Sequence, residues 1–350
     1  MRVGGPGYCG CMSESAGSVV KRWVGFAVFL LVVALVAFVM MHRQELKDRF
    51  AAIGFEFSPQ VAELSESLQL TDAGLRIFTA THPTIDGSQH FNEQCAEVDH
   101  SEQGHVLGCY AGDRIHLFDV TDERVSGIVE VTAAHELLHA VWSRMGEGDR
   151  TLMTAKLREV YDDLVPAHPE LAERMSVYEH LSDTAFANEL HSVFGTEVRE
   201  LPPWLEGHYA QWFEQRSDLI DGFDTYHTVF QELQQQADQL QSEMTALRAD
   251  VESRKQSYGQ AVEVFNADAS AFSADVAAGT YAEDPNAQAV IAGALTERRA
   301  ALDTELADLQ GDIDRYNGLR HDLQQLSEVS AELDEQLNSD LAPITTRPTD

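Results

Sequence analysis

His135-Glu136-Leu137-Leu138-His139 places two imidazoles and a carboxylate in five consecutive residues. On a helix, residues four apart share a face, so both rings can reach one Zn²⁺ ion while the intervening glutamate points at a water on that ion. A catalytic zinc needs a third protein ligand and an open fourth position. The residues after His139 are Ala140-Val141-Trp142-Ser143-Arg144-Met145, so the extended HExxHxxGxxH pattern is excluded. The third ligand is sought downstream, in Ala187-Asn188-Glu189-Leu190-His191-Ser192-Val193-Phe194-Gly195-Thr196. Glu189 and His191 are two apart, about 200° around a helix, and cannot both face one ion. Phe186, Leu190, Val193 and Phe194 mark the expected buried stripe. Glu189 lies at its edge and His191 toward the polar side. A carboxylate set against apolar side chains needs a partner to offset its desolvation, and a metal is such a partner. Glu189 is therefore preferred over His191.

HELLH followed by a helix bearing Asn-Glu-x-x-Ser and Phe-Gly-Thr resembles the gluzincin metallopeptidases, whose thermolysin branch has a similar Asn-Glu segment. The resemblance covers roughly residues 105–200. It implies His135 and His139 as zinc ligands, Glu189 as the third, and Glu136 as general base in peptide-bond hydrolysis. Two departures stand out: the gap from His139 to Glu189 is longer than in thermolysin, and Val193 occupies the place of the acid expected one turn after the glutamate. Such chemistry also needs a donor for the developing oxyanion. His208 and Tyr209 are the candidates, with Tyr178 and His180 behind them.

The elements that must position these groups are read from pattern. Leu75–Thr79, His105–Tyr110 and Arg114–Val120 have strand composition, and Ala-Gly-Asp between the last two signals a hairpin. Arg114–Val120 is expected to be the edge strand that aligns an extended substrate. Apolar residues recurring at three and four predict a helix over about Val125–Arg144. Further helices are expected near 151–164, 169–181 and 184–194, the last ended by Gly195. The whole 61–225 region is expected to form a small zincin-like α+β domain. It holds every histidine except His42, His227 and His321. Among them His90, Cys95, His100, His105 and Cys109 match no standard zinc-finger spacing, so a Cys95–Cys109 disulfide is preferred over a second zinc site.

From Tyr226 a heptad seam runs through Phe230, Leu233, Ala237, Leu240, Met244, Leu247 and Val251, then after a phase slip through Tyr258, Val262, Phe265, Ala269, Phe272 and Val276. Turn residues 279–285 interrupt it. A second arm follows through Ile291, Leu295, Leu302, Leu306, Leu309, Ile313, Tyr316, Leu323, Leu326, Leu333 and Leu337. Residues 226–338 are therefore expected to fold back as an antiparallel coiled-coil hairpin, able to dock a partner or self-associate. Residues 339–350 are expected to be a disordered tail.

Trp23–Met41 is an uncharged apolar stretch of about 28 Å as a helix, enough for a bilayer core. It is read as an uncleaved single-pass anchor between a tail (residues 1–22) and a polar linker (residues 42–60). Basic residues on its two flanks balance. Cys95 and Cys109, able to pair in an oxidising compartment, tip the expectation toward export of the bulk of the chain. Cys9 and Cys11 would then be cytoplasmic, and are read as ordinary tail residues.

The charge excludes one function class. With 58 acidic and 24 basic residues the net charge is -34, and such a surface repels nucleic acid. The hairpin carries 21 acids against seven bases, which spreads the acidity over solvated faces. Two readings follow: a membrane-anchored zinc peptidase acting on protein or peptide substrates, or a non-catalytic coiled-coil scaffold with a structural or degenerate zinc site. Glu136 separates them, because a purely structural site needs no acid there.

Overall fold

A computed structural model describes residues 1, 16–96, 98 and 105–341. The fold is α+β and mostly helical: a small three-stranded sheet, an apolar N-terminal helix, and two long paired helices. In chain order the elements are α1 (Ala16–Met41), α2 (Arg43–Ala51), α3 (Pro59–Ser67), α4 (Asp72–Ala80), β1 (Thr84–Asp86), α5 (Ser88–Cys95), β2 (Gly108–Ala111), β3 (Arg114–Phe118), α6 (Ile128–Arg144), α7 (Glu147–Leu164), α8 (Pro169–Ser176), α9 (Asp183–Thr196), α10 (Pro203–Tyr209), α11 (Arg216–Ala277) and α12 (Pro285–Leu337). They divide into two units: residues 1–118 with 132–217, and residues 119–131 with 218–341 among those described.

In the first unit, α1 contains Trp23–Met41, long and apolar enough to cross a membrane and with none of its length buried. Length and composition of this kind suit either a signal sequence or a single anchor. The stretch expected to be a linker is ordered into α2, because Asp48 is buried and accepts two bonds from Arg144 Nε, each 3.1 Å. Leu75–Thr79, expected as a strand, is instead the body of α4. Thr71 caps that helix by accepting from Gly74 N, and Ile77, Phe78 and Ala80 are buried together on one helical face.

The hairpin of β2 and β3 forms as expected. Gly112 and Asp113 both take positive φ, 58° and 64°, the backbone of a type I′ two-residue turn. The sheet order is β1-β3-β2. β1 pairs in parallel with β3 (Thr84↔His116, Ile85↔Leu117) and β2 pairs antiparallel (Cys109↔His116, Tyr110↔Ile115). This corrects the expectation for Arg114–Val120. β3 is the central strand, with both of its ladders taken, and β2 is an edge. α6 begins at Ile128, after a short 3-10 turn over Glu123–Val125. Its stretch from Ala133 to Leu138 is buried on every side, the signature of a central core helix rather than a surface one.

In the second unit, α11 and α12 run antiparallel through residues 278–284. Across the pair, Arg254 binds Glu305 (2.9 Å) and Asp312 (2.6 Å), and Arg298 binds Asp268 (2.6 Å). The first arm's seam is half-buried from Tyr226 to Phe272, while Val276 is exposed. On the second arm Leu302, Leu309, Tyr316, Leu323 and Leu326 face inward, whereas Leu306 and Ile313 are exposed. A two-helix hairpin covers one stripe per helix, so apolar residues flanking that stripe stay in solvent.

Candidate metal centre

α6 supplies His135, Glu136 and His139, whose candidate ligand atoms all lie within 4.8 Å of one another. This buried group could hold a metal ion. α9 brings Glu189 to it from fifty or more residues away in sequence: Glu189 Oε2 is 3.8 Å from His135 Nε2 and 3.6 Å from His139 Nε2. The two rings meet edge to face, 4.8 Å between centroids. His135 Nε2 is buried without a hydrogen-bond partner, which would cost on the order of 1–3 kcal/mol unless a further group completes the site. A carboxylate oxygen within 3.8 Å of two imidazole nitrogens is a donor set that fits a divalent transition metal. Burial would push the Glu189 carboxyl up; His139, then His135, with Arg174 beyond them, more than offset this and hold it below the ordinary carboxylate range.

Two glycines let the surrounding elements close on this group. Gly108 on β2 faces α6 so tightly that a Cβ there would lie 2.5 Å from Thr132 Cγ2, 3.0 Å from Glu136 Cγ and 3.2 Å from Glu136 Oε1. Gly195 does not end α9 as expected. It lies within the helix, where an added Cβ would run into Leu138 Cδ1 and Tyr209 Cε1, so it sets how near α9 comes to α6. The strand β2 is tied in turn to α5 by the Cys95–Cys109 disulfide, Cα–Cα 5.9 Å. His90 is exposed, with Asp86 and Glu93 each 3.9 Å away. Among the described residues no second metal group forms around these cysteines; His100 lies outside the described residues, as do Cys9, Cys11 and residues 342–350.

His191 is not on a polar face. It is fully buried, because α9 is covered almost all round from Phe186 to Thr196 and has no polar side for it to occupy. It packs on Trp142, and its Nε2 lies 2.8 Å from His208 Nε2. Tyr209, also fully buried, donates its hydroxyl to the His191 carbonyl oxygen at 2.7 Å. The polar atoms expected to serve the oxyanion are thus engaged with His191. Burial lowers His208 to about 4, so the ring is neutral at pH 7. Tyr178 is buried and accepts from Arg174 at 3.3 Å, and His180 Nδ1 lies 2.9 Å from the Val177 carbonyl oxygen.

Sequence reasoning missed Ser192. Its buried hydroxyl lies 3.4 Å from His139 Nδ1, on the ring nitrogen opposite the one that faces Glu189. No periodicity signals that contact. Gly108 was readable, since a glycine inside a strand pattern marks close backbone approach. No protein family, curated protein or solved structure matches the chain, so the chemistry open to this centre follows from its own side chains.

Proposed function

We propose that this protein is a membrane-anchored, zinc-dependent metallopeptidase of minimal gluzincin type. One observation carries the reading: Glu189 Oε2 stands within 3.8 Å of both Nε2 atoms of the HExxH pair, beside a fourth group, Glu136, that a structural site does not require. His135, His139 and Glu189 would hold the ion. A zinc ion there would act as a Lewis acid on a carbonyl and on water. Glu136, buried on the helix turn between the two histidines, takes the proton from the attacking water and returns it to the departing amine. Ser192 orients the His139 ring, and His208 and Tyr209 act as positioning residues that hold His191 against Trp142 of the HExxH helix. β2, an edge strand whose Gly108 touches Glu136, is the strand available to align an extended peptide by backbone hydrogen bonds.

The Cys95–Cys109 disulfide supports an oxidising compartment for the domain, and hence α1 as a single-pass anchor with the bulk of the chain outside the cytoplasm. The α11–α12 hairpin is assigned to substrate or partner docking. The test is zinc content together with hydrolysis of a broad peptide library by the wild type, His139→Ala and Glu136→Gln. The reading expects Glu136→Gln to keep the metal and lose hydrolysis, and His139→Ala to lose both. A zinc-loaded wild type no more active than Glu136→Gln would instead support a non-catalytic scaffold with a structural site.

A further inference from the structure

The short helix α2 has two faces of opposite character. Its inner face holds the buried Asp48, bound by Arg144 at the C-terminal end of the HExxH helix, and Glu45, paired with Arg49 at 2.8 Å. Its outer face presents Arg43, Lys47 and Phe50, at i, i+4 and i+7, within about 60° of arc. All three are exposed. Phe50 is 71% exposed, and Ile53, just beyond the helix, 73%. Cations and bulky apolar groups sharing a face are unexpected on a chain of net charge -34, where a surface helix otherwise presents acid to water.

The position of α2 says what covers that face. It follows the apolar helix α1 across one residue, His42, whose φ of -104° and ψ of 17° leave helical geometry. Phe50 is nine residues beyond Met41, no more than about 14 Å of helix, and the headgroup layer next to the hydrocarbon is about 5–8 Å thick. With α2 lying along the surface rather than continuing α1 outward, its long cationic side chains reach phosphate and the Phe50 ring reaches the boundary with the acyl chains.

We propose that α2 rests its Arg43, Lys47 and Phe50 face, together with Ile53, on the anionic headgroups of the membrane that α1 crosses. Asp48 on the opposite face then fixes the height of α6, and with it the metal centre, above that surface. The proposal depends on α1 remaining as an anchor and is independent of whether the site hydrolyses peptides.

The experiment uses the full chain reconstituted in vesicles, either of neutral phosphatidylcholine or with about a third of phosphatidylglycerol, and reads the emission added by Phe50→Trp over the wild type. Lipids brominated near the top of their acyl chains should quench most of the added emission in the anionic vesicles. Arg43→Gln with Lys47→Gln should restore it, because each lost cation shifts the seated-to-lifted ratio by roughly fivefold. Added emission that resists brominated lipid and yields to aqueous acrylamide overturns the proposal. So does emission shielded from both quenchers, which would assign the face to another protein or to a second copy of the chain. Release of the protein by an alkaline wash overturns it through its premise, that α1 is the anchor. None of these outcomes bears on the zinc and hydrolysis measurements above.

Discussion

Replacing Gly108 by alanine tests how closely β2 governs Glu136. Gly108 does not take positive φ, so alanine introduces no backbone strain and the effect is steric. Carbon atoms pack at about 3.5–4.0 Å, whereas the new Cβ would stand 2.5 Å from Thr132 Cγ2 and 3.0 Å from Glu136 Cγ. Strand and helix must therefore separate by about 1 Å, an overpacking cost of about 1–3 kcal/mol. For a domain of this size that lowers Tm by about 2–12 °C. Displacing a proton-transfer group by that distance costs about a hundredfold in kcat/KM, while His135, His139 and Glu189, which the added methyl does not meet, keep the metal. Thermal melts, zinc content and peptide hydrolysis read these three quantities separately. Adding Thr132→Ser removes the nearest methyl and should recover most of the stability. It should recover little activity, because the contact with Glu136 remains. A Gly108→Ala protein with wild-type Tm and turnover would refute the placement of β2 against the HExxH helix.

Two further outcomes follow from the same region. Reduction of Cys95–Cys109, or its replacement by a pair of serines, frees a 14-residue separation and should cost about 3 kcal/mol, read by denaturant melts. Hydrolysis should fall with it, since the bond holds the strand that touches Glu136; unchanged turnover in reductant would show that β2 is held without it. His208 is lowered by burial to about 4 from an ordinary 6.5. The unfolded chain therefore takes up this proton first as pH falls, and the ring's contribution is complete above about 6.5 and lost between there and about 4. In metal-free protein, melts at pH 7 and pH 5 should differ less for His208→Gln than for the wild type, and an equal difference would rule the ring out as a source of acid sensitivity.

Whatever was local was legible in the amino-acid order. HExxH sits on the expected helix because the pattern and the helix share the same four-residue repeat. The heptads declare a hairpin because two apolar arms of similar length flank one run of turn residues, and Ala-Gly-Asp declares the β2–β3 turn through the φ values it tolerates. Trp23–Met41 declares a helix fit for a membrane by its length and apolar composition. Composition misled where burial outvoted it. Leu75–Thr79 reads as a strand from its apolar and β-branched side chains, yet the Thr71 cap and the burial of Ile77 and Phe78 make it helical. His191 was placed on a polar face that α9 does not possess. The order of the strands, the disposal of Leu306 and Ile313 to solvent, and the anchoring of α2 by Arg144 depend on what packs against each face. Residue spacing determined which side chains share a face. Only the tertiary structure decided what lies opposite it, because bringing Glu189 to His135 and His139 depends on Gly195 letting α9 approach α6, a contact that no pattern along one helix encodes.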